Sequence, residues 1–199
     1  AKIAIFERLH AHFRATHAIQ GDERGQAFLE FVTGGGRDLL RFANFQMLSE
    51  QFGTHDWTRW PLAAQQPGQN EPLSPEQAQR VGFFQYLQWQ CAIQLGLAAA
   101  GRTNGMAFGL FNDLAVSVEA ASADHWANQD LFLRDIQVGA PPDPFNEAGQ
   151  DWGIVPFNPR RLRATGSALR CDETNPLVPP RGVPFQRAPK CTRARAGGA

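Results

Sequence analysis

Sulfur is scarce in this chain of 199 residues, which holds three cysteines and two methionines. Cys91, Cys171 and Cys191 make an odd set with no CxxC spacing, which excludes a disulfide framework and the common zinc knuckles. His10, His12 and His17 lack the i, i+4 spacing with an intervening Glu that a helical zinc pair needs, so no metal is expected. No apolar run approaches the length of a bilayer span, and no charged, apolar and small-residue leader is present. We therefore expect a soluble, cytoplasmic protein with no membrane partner. Net charge is lacking too, but the zero hides an asymmetry: residues 1–159 hold 10 Lys and Arg against 17 Asp and Glu, and residues 160–199 hold 9 against 2. The acidic body argues against a nucleic-acid partner, because phosphate neutralisation supplies most of that affinity. The basic run 181–195 has one aromatic, Phe185, and reads as a solvated or disordered end.

What is present is helical at first. Residues 2–17, 24–32 and 37–52 place Ile5, Leu9, Phe13, Phe28, Phe31, Leu39 and Leu48 at helical spacing. Gly34–Gly36 reads as a helix-helix turn, since no strand precedes it and no Gly-Lys-Ser/Thr follows; Gly53 stands where a C-cap belongs. Residues 61–73, rich in Pro, Gln and Gly, read as an exposed connection. Ser74-Pro75-Glu76-Gln77 then supplies an N-cap, a Pro at the first helical position and a Gln able to close a capping box. The helix they start runs to about Ala100, with Val81, Phe84, Leu87, Cys91 and Leu95 as its expected buried stripe and Cys91 as a buried thiol. Its aromatics are expected in the core. Met106–Val118 is almost uniformly apolar, which suits a buried parallel strand, and a helix, a Gly turn and such a strand make an α/β unit. Ser122 reads as the N-cap of a further helix, with Asp124 beside its dipole.

The segment Gly139-Ala-Pro-Pro-Asp-Pro-Phe-Asn-Glu-Ala-Gly-Gln-Asp-Trp-Gly153 carries the chemistry. Pro141, Pro142 and Pro144 fix backbone angles, and Gly149 and Gly153 permit turns. Phe145 and Trp152 offer apolar faces for the C–H side of a sugar ring, while Asp143, Gln150 and Asp151 can bond its edge hydroxyls. Together with Phe84-Gln-Tyr-Leu-Gln-Trp89, Gly105–Val116 and Ser122–Trp126, in that order, the segment resembles the bacterial 4-alpha-glucanotransferases, the amylomaltase or disproportionating enzyme family. The likeness runs from about Phe6 to Gly166.

The resemblance implies a partial (β/α)8 barrel with a helix-rich N-terminal insertion, transfer of alpha-1,4-glucan segments to the 4-hydroxyl of an acceptor sugar, a maltooligosaccharide or glucan as substrate partner, and no cofactor. It implies substrate-binding roles for Asp113, Asp143, Phe145, Gln150 and Trp152. Asp113, near a strand end, equally suits a turn cap or an ion pair with Arg. A barrel alone needs roughly 250 residues, and the chain starts at Ala1 in mid-pattern, so we expect an internal section of an enzyme. Its divisions are read as 1–73, a helical subdomain or insertion; 74–166, part of the catalytic barrel; and 167–199, a disordered tail outside the family pattern. The family's nucleophile, in a Leu-Arg-Ile-Asp-His context, and its later Glu and Asp have no counterpart, so no catalytic residue is assigned; Leu169-Arg-Cys-Asp172 lacks the His and comes a helix too early. Codons for the family's Ala-Pro-Phe, read one base early, allow Ser167-Ala-Leu-Arg170, so a frameshift near Gly166 would explain the tail, and a genuine tail is the other reading. A catalytically inert relic or a non-enzymatic glucan-binding fragment is the alternative.

Overall fold

The computed structural model describes residues 2–68, 72–99 and 117–164. Helix α1, Lys2–Phe13, passes into a π-helical turn over Arg14–Ala18, so the helix expected to run through residue 17 changes hydrogen-bond register after Phe13. Asp22 caps the next helix: its carboxylate accepts from the Gly25 amide at 2.9 Å and from His17 Nδ1 at 2.7 Å. Helix α2 spans Glu23–Phe52. It comprises the two helices expected across residues 24–52, which meet at a break in the Gly34–Gly36 stretch as read from the sequence. Gly36 alone takes non-helical angles, φ 48° and ψ −135°, which a side chain would oppose, and the helix resumes on the far side. Gly53, at φ 66°, ends α2 in the expected left-handed cap.

Residues 61–68 are mostly exposed, as expected, with one inward contact. Helix α3, Leu62–Gln65, buries Ala64, whose carbonyl accepts the Trp126 indole at 3.0 Å; a backbone that serves as acceptor for a core tryptophan must lie against the core. The Ser74 box forms as read, with Gln77 N donating to Ser74 Oγ at 3.2 Å and Ser74 N donating to Gln77 Oε1 at 2.9 Å. Helix α4, Pro75–Ala99, buries Val81, Phe83, Tyr86, Trp89 and Ala92. Phe83, Tyr86 and Trp89 are core, as expected of its aromatics, but of the expected stripe only Val81 is buried: Phe84, Leu87 and Leu95 are half-buried and Cys91 is exposed. Apolar residues surround this helix, so its own periodicity leaves the inward direction open. The positions of α1 and α2 set that direction along the 83, 86, 89 row, and Cys91, two residues past Trp89, is rotated by about 200° from it.

Two clusters make the core. Ala43, Phe45, Met47 and Leu48 of α2 meet Trp57, Trp60, Ala64, Val81 and Trp126 in one. Phe13, Tyr86 and Trp89, flanked by Phe28 and Phe31, form the other. Arg80 ties three helices on the outside: its guanidinium donates to both Glu50 carboxylate oxygens and, at 2.6 Å, to Glu7, and lies 4.3 Å from the Phe83 ring centroid.

His10 is buried at 6% exposure, with ring centroids 5.2 Å from Tyr86 and 5.6 Å from Phe83. Burial, reinforced by Arg14 and Arg80, pushes its pKa from 6.5 down to about 4. The unfolded chain therefore takes up a proton that the folded one refuses. Stability from this group is complete above the unfolded pKa and is lost as pH falls toward the folded one, a loss of roughly 1–3 kcal/mol. Urea midpoints compared at neutral pH and near the folded pKa should show it, and His10→Phe should flatten that limb; an unchanged pH dependence would contradict the burial account.

The sheet has three antiparallel strands in the order β1 (Val118–Glu119), β3 (Gln150–Val155), β2 (Val138–Ala140). Most of the strand expected over Met106–Val118 lies outside the described residues, and its described end pairs antiparallel with β3, Val118 opposite Val155. Between β1 and β2, helix α5, Ala123–Ala127, starts at Ser122, whose hydroxyl accepts from the His125 amide at 3.2 Å as read. Helix α6, Pro159–Ala164, follows β3. Among the described residues no helix is long and apolar enough to cross a membrane.

Candidate functional site

The Gly139–Gly153 segment, expected as a loop, is a β-hairpin whose ends are strands β2 and β3. Gly139 faces Asp151 and Ala140 faces Gln150. A Cβ on Gly139 would lie 2.0 Å from the Gln150 carbonyl oxygen, so only glycine lets the two strands approach this closely. Gly149, at φ 71°, turns the chain into β3, and a Cβ there would meet the Ala140 carbonyl at 2.8 Å. Between them Pro141, Pro142 and Pro144 restrict the backbone.

The tip is tied by its own Asp. Asp143 and Asn146 exchange backbone hydrogen bonds of 3.1 and 3.2 Å, and Asp143 Oδ1 accepts from the amides of Phe145 at 2.8 Å and Asn146 at 2.7 Å. The turn projects Phe145 wholly into solvent, at 100% exposure. At the other end, β3 advances three residues, Asp151 to Ile154, while β2 retreats one, Gly139 to Val138. This bulge leaves Trp152 and Gly153 outside the paired register. Trp152 is half exposed, and its Nε1 donates to Gln150 Oε1 at 2.9 Å. Asp151 Oδ1 accepts from the Gly153 amide at 2.9 Å, and the Gln137 amide, with its nitrogen turned inward, donates to both Asp151 oxygens at 2.5 and 2.6 Å.

A run of aromatic contacts fixes the hairpin base to the helical core. Trp57 meets the buried His125 edge-on at 5.2 Å, His125 meets Phe132 at 5.1 Å, and Phe132 stacks on Phe157 at 4.8 Å. Phe132 and Phe157 also pair through the backbone, with Leu133 N donating to Pro156 O at 2.9 Å and Asn158 N to Leu131 O at 2.7 Å. His125 Nδ1 donates to Ala120 O at 2.8 Å, which orients its ring.

Four of the five residues read from the sequence as substrate contacts, Asp143, Phe145, Gln150 and Trp152, thus lie on one hairpin; Asp113 lies outside the described residues. The polar members serve the hairpin itself. Asp143 and Asp151 each accept backbone amides, and Gln150 holds an indole. Phe145 and Trp152 are the large apolar side chains of the hairpin that face solvent, and Ile136, just before β2, is 53% exposed. Sequence reasoning missed Gln137 and Ile136, whose signal is their place in the extended lead into β2. Among the described residues no group of three His, Cys, Asp or Glu side chains could hold a metal ion.

Residues 1–169 match the family described as 4-alpha-glucanotransferase. The chain is 40% identical over 142 residues to the 4-alpha-glucanotransferase of Mycobacterium tuberculosis, covering 70% of this chain and 20% of that protein. It is 31% identical over 178 residues to the Haemophilus influenzae 4-alpha-glucanotransferase, covering 84% and 26%. The solved amylomaltase of Corynebacterium glutamicum is similar at a TM-score of 0.59 and 32% identity, over 73% of this chain and 19% of that one. A second amylomaltase, from Streptococcus agalactiae in complex with acarbose, is alike in fold at a TM-score of 0.62 and 23% identity, over 81% and 33%. The chain spans between 20% and 26% of the length of these two curated relatives.

Proposed function

We propose that this chain, which belongs to the 4-alpha-glucanotransferase family, carries the sugar-gripping hairpin of such an enzyme and serves the transfer of alpha-1,4-glucan segments to the 4-hydroxyl of an acceptor sugar. The observation that carries the reading is the exposed Trp152 and Phe145 on a hairpin whose Asp143, Gln150 and Asp151 side chains each hold a bond within it. A solvent-facing indole costs solubility and contributes nothing to the core, but it suits the apolar face of a pyranose. Within the whole enzyme, residues 74–166 would form part of a (β/α)8 barrel and 1–73 a helical insertion beside it, with Asp113 lining the same cleft. Retaining transfer needs a nucleophilic carboxylate and an acid/base carboxyl about 5 Å apart. Asp143 and Asp151 are turn acceptors, so the hairpin grips sugar and leaves proton transfer and covalent chemistry to other parts of the enzyme.

The same arrangement is what a glucan-binding fragment without chemistry would show. A chimera separates the two. Residues 2–164 replacing the matching segment of the Corynebacterium glutamicum amylomaltase should yield a protein that releases glucose from maltotriose, whereas the chain alone should release none. Trp152→Ala in the chimera should lower kcat/KM roughly 30-fold. A folded chimera that transfers nothing would contradict the enzymatic reading.

A further inference from the structure

Of the five tryptophans, Trp57, Trp60, Trp89 and Trp126 are buried and Trp152 is half exposed. Trp57, Trp60 and Trp126 donate their indole N–H groups to main-chain carbonyls; Trp152 donates to a side chain. The bulge removes the cross-strand neighbour that would otherwise pack beside the Trp152 ring. An indole so placed is free to change rotamer, and ordering it on binding would weaken any stacked complex. Gln150 and Trp152 stand two residues apart on β3, where side chains of like parity leave the same face. Gln150 itself sits in register opposite Ala140, beside the close Gly139 crossing, where the backbone has least freedom.

We propose that Gln150 is a positioning residue that locks the Trp152 indole in the orientation a sugar ring stacks on. With Oε1 engaged by the indole, Gln150 presents only its amide N–H2 beside the ring edge. A bound sugar is then favoured when it sets an oxygen acceptor at that edge, either a hydroxyl or the ring oxygen. The inference rests on the glucan reading of the hairpin, and it differs from a plain sugar contact because Gln150 acts through Trp152.

The test reads the two parts separately. In 1H–15N spectra of the whole chain, Trp152→Phe identifies the Trp152 indole resonance. Gln150→Ala should move that resonance upfield and speed its exchange with solvent, leave the buried indole resonances in place, and weaken maltoheptaose binding about tenfold. Gln150→Glu keeps an acceptor and should restore the resonance and part of the affinity. Gln150→Leu, which keeps the side-chain bulk, repeats the reading should the alanine variant disturb the hairpin. A resonance unmoved in both the Ala and Leu variants would overturn the tether. Equal loss of affinity in the Ala and Glu variants, with the resonance restored only in the latter, would make Gln150 a direct sugar contact and overturn the positioning role. A tether confirmed by the spectra, with no maltoheptaose response in the wild-type chain, would overturn the glucan reading instead.

Discussion

Replacing Trp126 with Ala should destabilise the fold by about 3–5 kcal/mol, the largest effect expected of any single substitution here. Trp126 is 1% exposed and is among the largest fully buried side chains, with ring centroids 5.8 Å from Phe45 and 6.1 Å from Trp60. Its removal opens a cavity where α2, α3 and α5 meet, and those backbones, held by their own helices, close it only in part. It also strips the Ala64 carbonyl of its donor, adding about 1 kcal/mol. Against a total of about 5–15 kcal/mol for a domain, such a loss moves the urea midpoint far or leaves no folded protein to titrate. Trp126→Phe keeps much of the volume and loses the indole donor, so it should cost about 1–2 kcal/mol. A midpoint nearly unchanged in the alanine variant would show that α5 is not seated in the core as described.

The second large effect concerns the ligand. Trp152 contributes little to the core, being half exposed, so Trp152→Ala should leave the unfolding free energy from urea titration within about 0.5 kcal/mol of wild type. It should nevertheless lower maltooligosaccharide affinity roughly 30-fold, since a single exposed aromatic platform dominates a small contact. The two substitutions thus act oppositely. One damages the scaffold and reaches the hairpin only through α5 and the Trp57–His125–Phe132–Phe157 run. The other removes the platform and spares the scaffold. An indole that stabilised the fold would reverse the pattern.

Local chemistry made much of this legible before any coordinates. The Ser74–Gln77 box, the Gly53 cap and the Ser122 cap are interactions between residues three or four positions apart, and such contacts survive whatever tertiary structure surrounds them. The failures were tertiary. The α4 stripe was misplaced because a helix apolar on several sides reports its inward face only through its neighbours, and Cys91 fell on the open side. Residues 61–68 are the mostly exposed connection their composition suggests, but composition does not reveal that the Ala64 carbonyl is needed by a distant indole. At the site, residue identity singled out the segment but left the contacts of its side chains open. Asp143 and Gln150 carry groups that suit sugar hydroxyls, yet the Phe145 and Asn146 amides and the Trp152 indole reach those groups first, and the bulge that frees Trp152 has no signature beyond Gly153. The break at Gly36 was legible, since three glycines signal it; only the packing shows that the halves of α2 on either side both seat on α4, Phe28 and Phe31 in the cluster of Tyr86 and Trp89, Phe45 and Leu48 in that of Val81.

The central claim is that the Gly139–Gly153 hairpin holds an alpha-1,4-glucan against Trp152. Titrating the chain with maltoheptaose while following the acrylamide-accessible tryptophan fluorescence tests it most directly, because Trp152 is the half-exposed member of an otherwise buried set. We predict a saturable response with a dissociation constant of about 1 mM, equivalent to about 4 kcal/mol, that protects the accessible fraction from acrylamide and vanishes in Trp152→Ala. Quenching unaltered at saturating maltoheptaose, in a chain whose urea transition shows it folded, would contradict the claim.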